Sequence, residues 1–256
     1  MEQQNNYFTA ETEKWLECRR GRFTSSEIHK LFKGGIRNMT PEELAARPKN
    51  EKGTLIDRRT TVDILFGDTA MKYIEQKANE ITSLNSEEEK QESMTEFKQM
   101  KYGKDNEFFG VEEFKRVTGL DVIYHGISCP EFYPFGDFAG GSPDGDIIGD
   151  SAVLEMKCPY NGAIHMKRLA INTIQDFKDK YPSDYAQCQM NMHIMNKDFC
   201  YYCSFDPRKI NPKSRLKIFK LKKDPEWVIE FEMRLDAALG ILADLLESYD
   251  KTPFVE

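Results

Sequence analysis

The sequence predicts a mixed α/β (α+β) protein with a central sheet of about five strands flanked by helices. Three observations carry that expectation. Five short runs, 121–128, 144–148, 151–157, 199–205 and 215–221, have the β-branched, aromatic or alternating character of strands. Helical spacing of apolar residues marks 62–77, 106–117 (closed by Gly119), 183–195 and 225–248. The chain is 256 residues long, 39% apolar and 31% charged, which is ample for a buried core. No internal repeat is visible, and residues 1–256 read as a single domain interrupted by a polar, acidic surface insert near 79–92.

In chain order, the first eight residues are polar and lack both a basic start and an apolar stretch, which predicts a cytoplasmic protein without a secretory signal. Thr24 and Glu27 have capping-box spacing, and Ile28, Leu31 and Phe32 follow, so a short helix is expected to start near Ser25, preceded by Arg19, Arg20 and Arg22. No run approaches the roughly 18 uncharged apolar residues of a membrane span; the most apolar one, 237–246, is broken by Asp244. The net charge of −7 argues against coating nucleic acid through global charge. Residues 208–223 nevertheless carry eight Lys or Arg and no acid, which suits either the lining of a duplex channel or the wet face of an edge strand. The cysteines, at 18, 129, 158, 188, 200 and 203, are dispersed and read as free thiols. Cys200 and Cys203, three apart in a strand, face opposite sides and make no metal pair. The four histidines show no metal or nucleophile spacing, and no phosphate-binding glycine loop implies ATP.

The chemistry concentrates in 140–157. Two strand-like runs there are joined by Gly149-Asp150, a two-residue hairpin signal. In that register Ile148 pairs with Ser151, Ile147 with Ala152, Asp146 with Val153 and Gly145 with Leu154, and Asp144 falls opposite Glu155. Two acids with Cβ atoms about 4.5–5.5 Å apart repel unless a cation or a proton is shared between them. Asp144 alone would suit a Pro-Asp-Gly turn, but Ala152, Val153, Leu154, Met156 and Cys158 make this a mostly apolar strand, in which a charged pair is costly without a role. Lys157 shares the face of Glu155, while Leu154 and Met156 point the other way. Asp146 shares that face too but lies toward the turn and reads as solvated. Hard oxygen ligands suit Mg²⁺ or Mn²⁺, which can bind a phosphate oxygen and activate a water that the lysine orients.

Ser142-Pro-Asp-Gly145 followed by Leu154-Glu-Met-Lys-Cys-Pro159 resembles the core of the lambda-exonuclease and YqaJ-type viral recombinase family, within the PD-(D/E)XK nuclease superfamily. Further matching segments run in the same order from about Trp15 to Asp206. The resemblance implies a restriction-endonuclease-like core. In Tyr102-Gly-Lys-Asp-Asn-Glu107 it assigns Glu107 to the metal site, and in Tyr185-Ala-Gln-Cys-Gln189 it assigns a supporting glutamine, taken as Gln187 with Gln189 close by. Arg19, Ser26 and Ser142 fall where the family holds a 5′-phosphate; a helix start and an arginine suit that task physically. One departure is Asn161-Gly-Ala163, where the family often has an arginine; Lys167 and Arg168 are the nearest cations.

The resemblance thus implies a Mg²⁺- or Mn²⁺-dependent DNA exonuclease with two ions held by Asp144, Glu155, the Met156 carbonyl and Glu107. It implies digestion of the 5′ strand from linear duplex ends, leaving 3′ single strands for an annealing protein during recombination. A ring-shaped homotrimer and the cytoplasm of a bacterial or phage-infected cell are implied with it. Two alternatives stay open: an endonuclease or structure-specific nuclease of the same superfamily, which would cut closed circles, and a catalytically silent DNA-binding module. Retention of both acids and the lysine speaks against the latter, since binding alone gains from losing a negative pair.

Overall fold

Two runs of the central sheet, Ala152–Lys157 and Phe199–Phe205, are buried almost throughout. Strands buried on both faces need a covering layer on each. That is the architecture of this computed structural model, which describes residues 10–38, 40–46, 59–61, 64–84, 94–126 and 131–249. The helices are α1 (Ala10–Arg19), α2 (Pro41–Ala46), α3 (Asp68–Thr82), α4 (Met94–Thr118), α5 (Gly162–Leu169), α6 (Ile174–Lys180), α7 (Pro182–Ile194) and α8 (Pro225–Tyr249). The strands are β1 (Phe23–Thr24), β2 (Ile36–Asn38), β3 (Arg59–Thr61), β4 (Val122–Tyr124), β5 (Tyr133–Phe135), β6 (Ala139–Gly141), β7 (Gly145–Ile147), β8 (Ala152–Lys157), β9 (Phe199–Phe205) and β10 (Leu216–Lys222).

The expected five-stranded mixed sheet runs in the order β10-β9-β8-β7-β4, with β8 and β9 parallel and the other neighbours antiparallel. A three-stranded sheet, β1-β6-β5, and the pair β2-β3 lie outside it. Alternation along the strands sorts the core. Val153, Cys200, Tyr202, Phe219 and Leu221 join residues of α3, α7 and α8 in one cluster. Ala152, Leu154, Met156, Tyr201 and Cys203 join Val111 and Phe114 of α4 in the other. Cys200 and Cys203 therefore face opposite layers. Among the described residues no helix is long and apolar enough to cross a membrane.

Several boundaries differ from expectation. The helix expected at 62–77 begins at Asp68, with Gly67 as its N-cap, and continues to Thr82. The first residues of the 79–92 insert are thus helical; 85–92 lie outside the described residues. The helix expected at 106–117 is α4, which starts at Met94: Gly103 weakens the local helical signal, but packing on β8 and β9 carries the helix through it. The strand at 121–128 is only three residues long, and 127–128 lie outside the described residues.

The hairpin keeps its expected register, Gly145↔Leu154 and Asp146↔Val153, yet its turn is longer. The Asp150 N–H donates to the Ile147 carbonyl at 3.4 Å across a turn in which Gly149 adopts φ +77°, the left-handed conformation glycine tolerates. The Ser151 carbonyl accepts from Asp198 (2.9 Å) and Phe199 (3.0 Å) instead of pairing back. The expected pairs Ile148–Ser151 and Ile147–Ala152 do not form; widening the loop symmetrically by two residues on each side leaves the pairs beyond it in register.

Candidate active site

Glu155 and Lys157 leave β8 on the side of Val153, the face that α7 covers. Along α7 every residue from Tyr185 to Met192 is buried, so its polar residues must find partners inside the protein. Gln187 does so at both ends of its amide: Nε2 donates to Glu155 Oε1 at 2.7 Å, and Oε1 accepts from Lys157 Nζ at 3.0 Å. Lys157 Nζ also donates to Glu155 Oε1 at 2.6 Å. The other carboxylate oxygen, Oε2, accepts from Asn191 Nδ2 at 3.1 Å. Gln189 points elsewhere, accepting from the Asp224 N–H (2.9 Å) and donating to the Lys222 carbonyl (3.0 Å). Of the two glutamines, Gln187 is the one that contacts Glu155 and Lys157.

Asp144 lies one residue before β7. Its N–H donates to the Leu154 carbonyl (3.0 Å) and its carbonyl accepts from His125 (2.9 Å). The ladder proper ends at Gly145↔Leu154, and Asp144 joins β8 through its side chain, Oδ2 accepting the Met156 N–H at 2.6 Å. Glu107 comes from α4, and its Oε1 accepts from the Tyr124 hydroxyl at 2.9 Å. Tyr124 was not anticipated as a site residue; lying in a three-residue strand, it carries no local signal of that contact.

Burial and crowding of like charges decide the protonation of the group. Burial, with the charge of Glu155 added, pushes the Glu107 carboxyl up to about 7 against the pull of the Tyr124 hydroxyl. Burial and the charges of Glu107 and Glu155 raise Asp144 well above the usual carboxylate range. Glu155 is also raised by burial, in part offset by Lys157. Burial alone would lower the proton affinity of Lys157, but Glu155, Asp184 and Asp144 outweigh it and hold the lysine above its ordinary value. Three hard-oxygen donors, of which Glu155 raises the proton affinity of both others and Glu107 that of Asp144, are a donor set a divalent cation would relieve. Among the described residues no three His, Cys, Asp or Glu side chains form a ready-made ion cage, so the fit rests on this oxygen chemistry and mutual repulsion.

Next to the carboxylates lies a second cluster. β1 and β6 are parallel, Phe23↔Ala139 and Thr24↔Gly140, so the residues that follow them, Ser26 and Ser142, emerge at the same end. Arg19, at the last turn of α1, donates through Nη2 to Ser26 Oγ at 2.9 Å and to Thr24 Oγ1 at 3.4 Å. Trp15, four residues earlier on the same helix face, lies 4.5 Å beneath the Arg19 guanidinium, and its Nε1 donates to Ser142 Oγ at 2.9 Å. The structure thus gathers Arg19, Ser26 and Ser142, with Trp15 as the link. The capping box does not form: Glu27 is the N-cap of a 3₁₀ helix, Ile28–Phe32, without a side-chain cap, and its carboxylate pairs with Lys30. Thr24 and Glu27 have the right spacing, but Arg19 and Lys30 compete for their oxygens. Lys104, three residues before Glu107, adds positive charge felt by Glu107; burial lowers its own proton affinity.

Other sequence candidates take structural places. Asp146 is not free in solvent but pairs with Lys197 at 2.6 Å. Arg168 is buried, bound to Asp184 at 2.8 Å and set over the rings of Tyr181 and Tyr202, so it does not face the pocket as the missing arginine. Asn161 caps α5, its Oδ1 accepting from Ala163 N–H. His165 is a fully buried structural residue between Ser204 Oγ and the Ser214 carbonyl. The basic run contains the edge strand β10, whose Phe219 and Leu221 face inward and whose Lys220 and Lys222 face out; Arg208 is held by Asp206 and the Pro159 and Tyr160 carbonyls.

No curated protein matches the sequence. Among solved structures, an alkaline exonuclease (LHK-Exo) from Laribacter hongkongensis is similar at a TM-score of 0.63 and 19% identity, covering 93% of this chain and 96% of that one. The same enzyme in complex with dAMP gives the same figures. A phage-related exonuclease from Haemophilus somnus 129PT has a TM-score of 0.60 and 14% identity, covering 90% of this chain and 96% of that one. At these identities the likeness establishes the fold. Residues 14–198, which contain both clusters, match the YqaJ-like viral recombinase domain, and the chain belongs to that family.

Proposed function

We infer that the chain is a DNA exonuclease that hydrolyses phosphodiester bonds at linear duplex ends with a divalent cation. The observation that carries this reading is the group Asp144, Glu155, Lys157 and Gln187, its glutamate and glutamine buried and its aspartate and lysine half-buried, in which one amide holds an acid and a cationic lysine together. Membership of the YqaJ-like family and the exonuclease fold support the enzyme class.

Asp144, Glu155, Glu107 and the Met156 carbonyl are the residues to hold Mg²⁺ or Mn²⁺, two ions in the full site. A cation bound there would polarise the scissile phosphate and lower the pKa of a water. Lys157 keeps its proton, so it serves as a donor that orients the attacking water and offsets negative charge as it develops. Gln187 keeps Lys157 and Glu155 in fixed relation. Glu107, whose Oε1 accepts from the Tyr124 hydroxyl, completes the oxygen donor set from α4. Arg19, Ser26 and Ser142 bind the 5′-phosphate of the DNA end, so digestion runs 5′ to 3′ and leaves a 3′ strand for a single-strand annealing protein. The chain works as a homotrimer in solution, which light scattering tests.

The test is digestion of end-labelled linear duplex with Mg²⁺, beside the same DNA as a covalently closed circle. Loss of nucleotides from 5′-phosphorylated ends with the circle intact is expected. Cutting of the circle would favour an endonuclease. Inert linear DNA, with Asp144→Ala binding DNA no differently, would favour a silent binding module.

A further inference from the structure

We propose that Asn191 is a positioning residue, holding the Oε2 atom of Glu155 in the direction a divalent cation requires. The inference rests on the nuclease reading and adds a residue that the sequence patterns do not mark. Asn191 lies one turn after Gln187 on α7 and is fully buried. The two amides divide the carboxylate between them: Gln187 donates to Oε1 at 2.7 Å and Asn191 to Oε2 at 3.1 Å. Oε1 also accepts from Lys157, so Oε2 has the fewer donors and retains more lone-pair capacity for a cation. Asn191 is its single hydrogen-bond partner among the described residues.

The amide pays for this contact elsewhere. Asn191 Oδ1 is buried with no hydrogen-bond partner among the described residues. Turning the amide over would bring that oxygen against Glu155, replacing attraction with repulsion, so the unpaired oxygen follows from donating to Glu155. Room for it comes from Gly141 of β6: a Cβ there would sit 2.4 Å from Asn191 Oδ1 and 3.0 Å from Ser25 Oγ. A residue needed only for packing would be an apolar one, since that leaves no orphaned acceptor. Ser142 follows Gly141, so Asn191 also stands where the carboxylate centre meets the strand leading to the phosphate pocket.

The experiment is calorimetric titration of DNA-free protein with Mn²⁺, joined to the Mn²⁺ concentration for half-maximal digestion. Asn191→Leu keeps the approximate volume and removes the donor. It is expected to weaken Mn²⁺ binding about tenfold, to raise the half-maximal concentration in step and to leave the KM for DNA unchanged. Gly141→Ala, which pushes the amide without deleting it, is expected to produce a similar loss, and adding it to Asn191→Ala is expected to cost little more than Asn191→Ala alone. Because Gly141→Ala leaves the amide in place, it also tests the idea should Asn191→Leu fail to fold. Wild-type Mn²⁺ affinity in folded Asn191→Leu, or losses from Gly141→Ala and Asn191→Ala that simply add, would overturn the proposal. Glu155→Ala separates the two readings: if it keeps Mn²⁺ affinity, the cation site fails and this inference with it. If it loses affinity while Asn191→Leu does not, the positioning role alone falls.

Discussion

The carboxylate centre and the arginine–serine pocket are neighbours built by different means. In the centre, each acid is tied to the sheet or to a buried helix: Asp144 to the Met156 N–H, Glu155 to Lys157, Gln187 and Asn191. Backbone register sets those positions, and three hydrogen bonds over-determine the Glu155 carboxylate. In the pocket, two residue pairs between β1 and β6 set the frame, and side chains do the rest through Trp15, Arg19 and Thr24. A centre held this way suits chemistry that tolerates little displacement; a pocket of side-chain bonds at a helix end suits recognition of a mobile DNA terminus.

That contrast can be broken at four points. Lys157→Ala should reduce single-turnover cleavage by at least about 10²-fold while end binding, measured by fluorescence anisotropy, stays near wild type; equal loss of both would erase the division of labour. Second in size is a pH dependence of stability without divalent cations. Glu107 titrates near 7 when folded against 4.5 when exposed, so over that window the folded state holds a proton the unfolded state has lost. Stability therefore falls as pH rises from about 4.5 through about 7, and raised Asp144 acts in the same sense. Thermal unfolding in chelator should show that slope, Glu107→Gln should flatten it, and Mn²⁺ should lift stability most at the alkaline end. Unchanged slopes in the variant would remove the like-charge account of the centre.

Arg19→Ala should cut the preference for 5′-phosphorylated over 5′-hydroxyl ends about tenfold, the order of one charge-assisted hydrogen bond, with little effect on the bond-breaking step. Competition between the two substrates measures it. The smallest effect is expected for Trp15→Phe, which keeps a ring under Arg19 but loses the bond to Ser142: roughly a two- to threefold drop in the same preference, within the range of a single neutral hydrogen bond. A larger loss than that of Arg19→Ala would make Trp15 the centre of the pocket instead of its link.

The two regions also differ in how far they could be read in advance. The hairpin was legible because strand periodicity is two and the turn signal is local, so Asp144, Glu155 and Lys157 followed from counting, even though the turn itself is longer than its dipeptide suggests. Cys200 and Cys203 separated onto opposite layers for the same reason. The Thr24 and Glu27 spacing misled because an identical spacing serves a helix cap or two unrelated contacts, and only the neighbours Arg19 and Lys30 decide between them. Asp146 read as solvated, and Arg168 as a cation near the place of the family's arginine, until Lys197 and Asp184, distant in sequence, were brought beside them.

What the amino-acid order determined alone was the alternation of charged and apolar residues at the end of β8, and with it that Glu155 and Lys157 share a face. Only the tertiary structure decided that α7 would cover that face with Gln187 and Asn191, that Tyr124 would reach Glu107, and that parallel strands would deliver Ser26 and Ser142 to one end. The physical reason is range: side-chain direction in a strand is a property of the backbone over a few residues, whereas a hydrogen bond between separate elements depends on burial that removes competing water and on packing that no local pattern encodes.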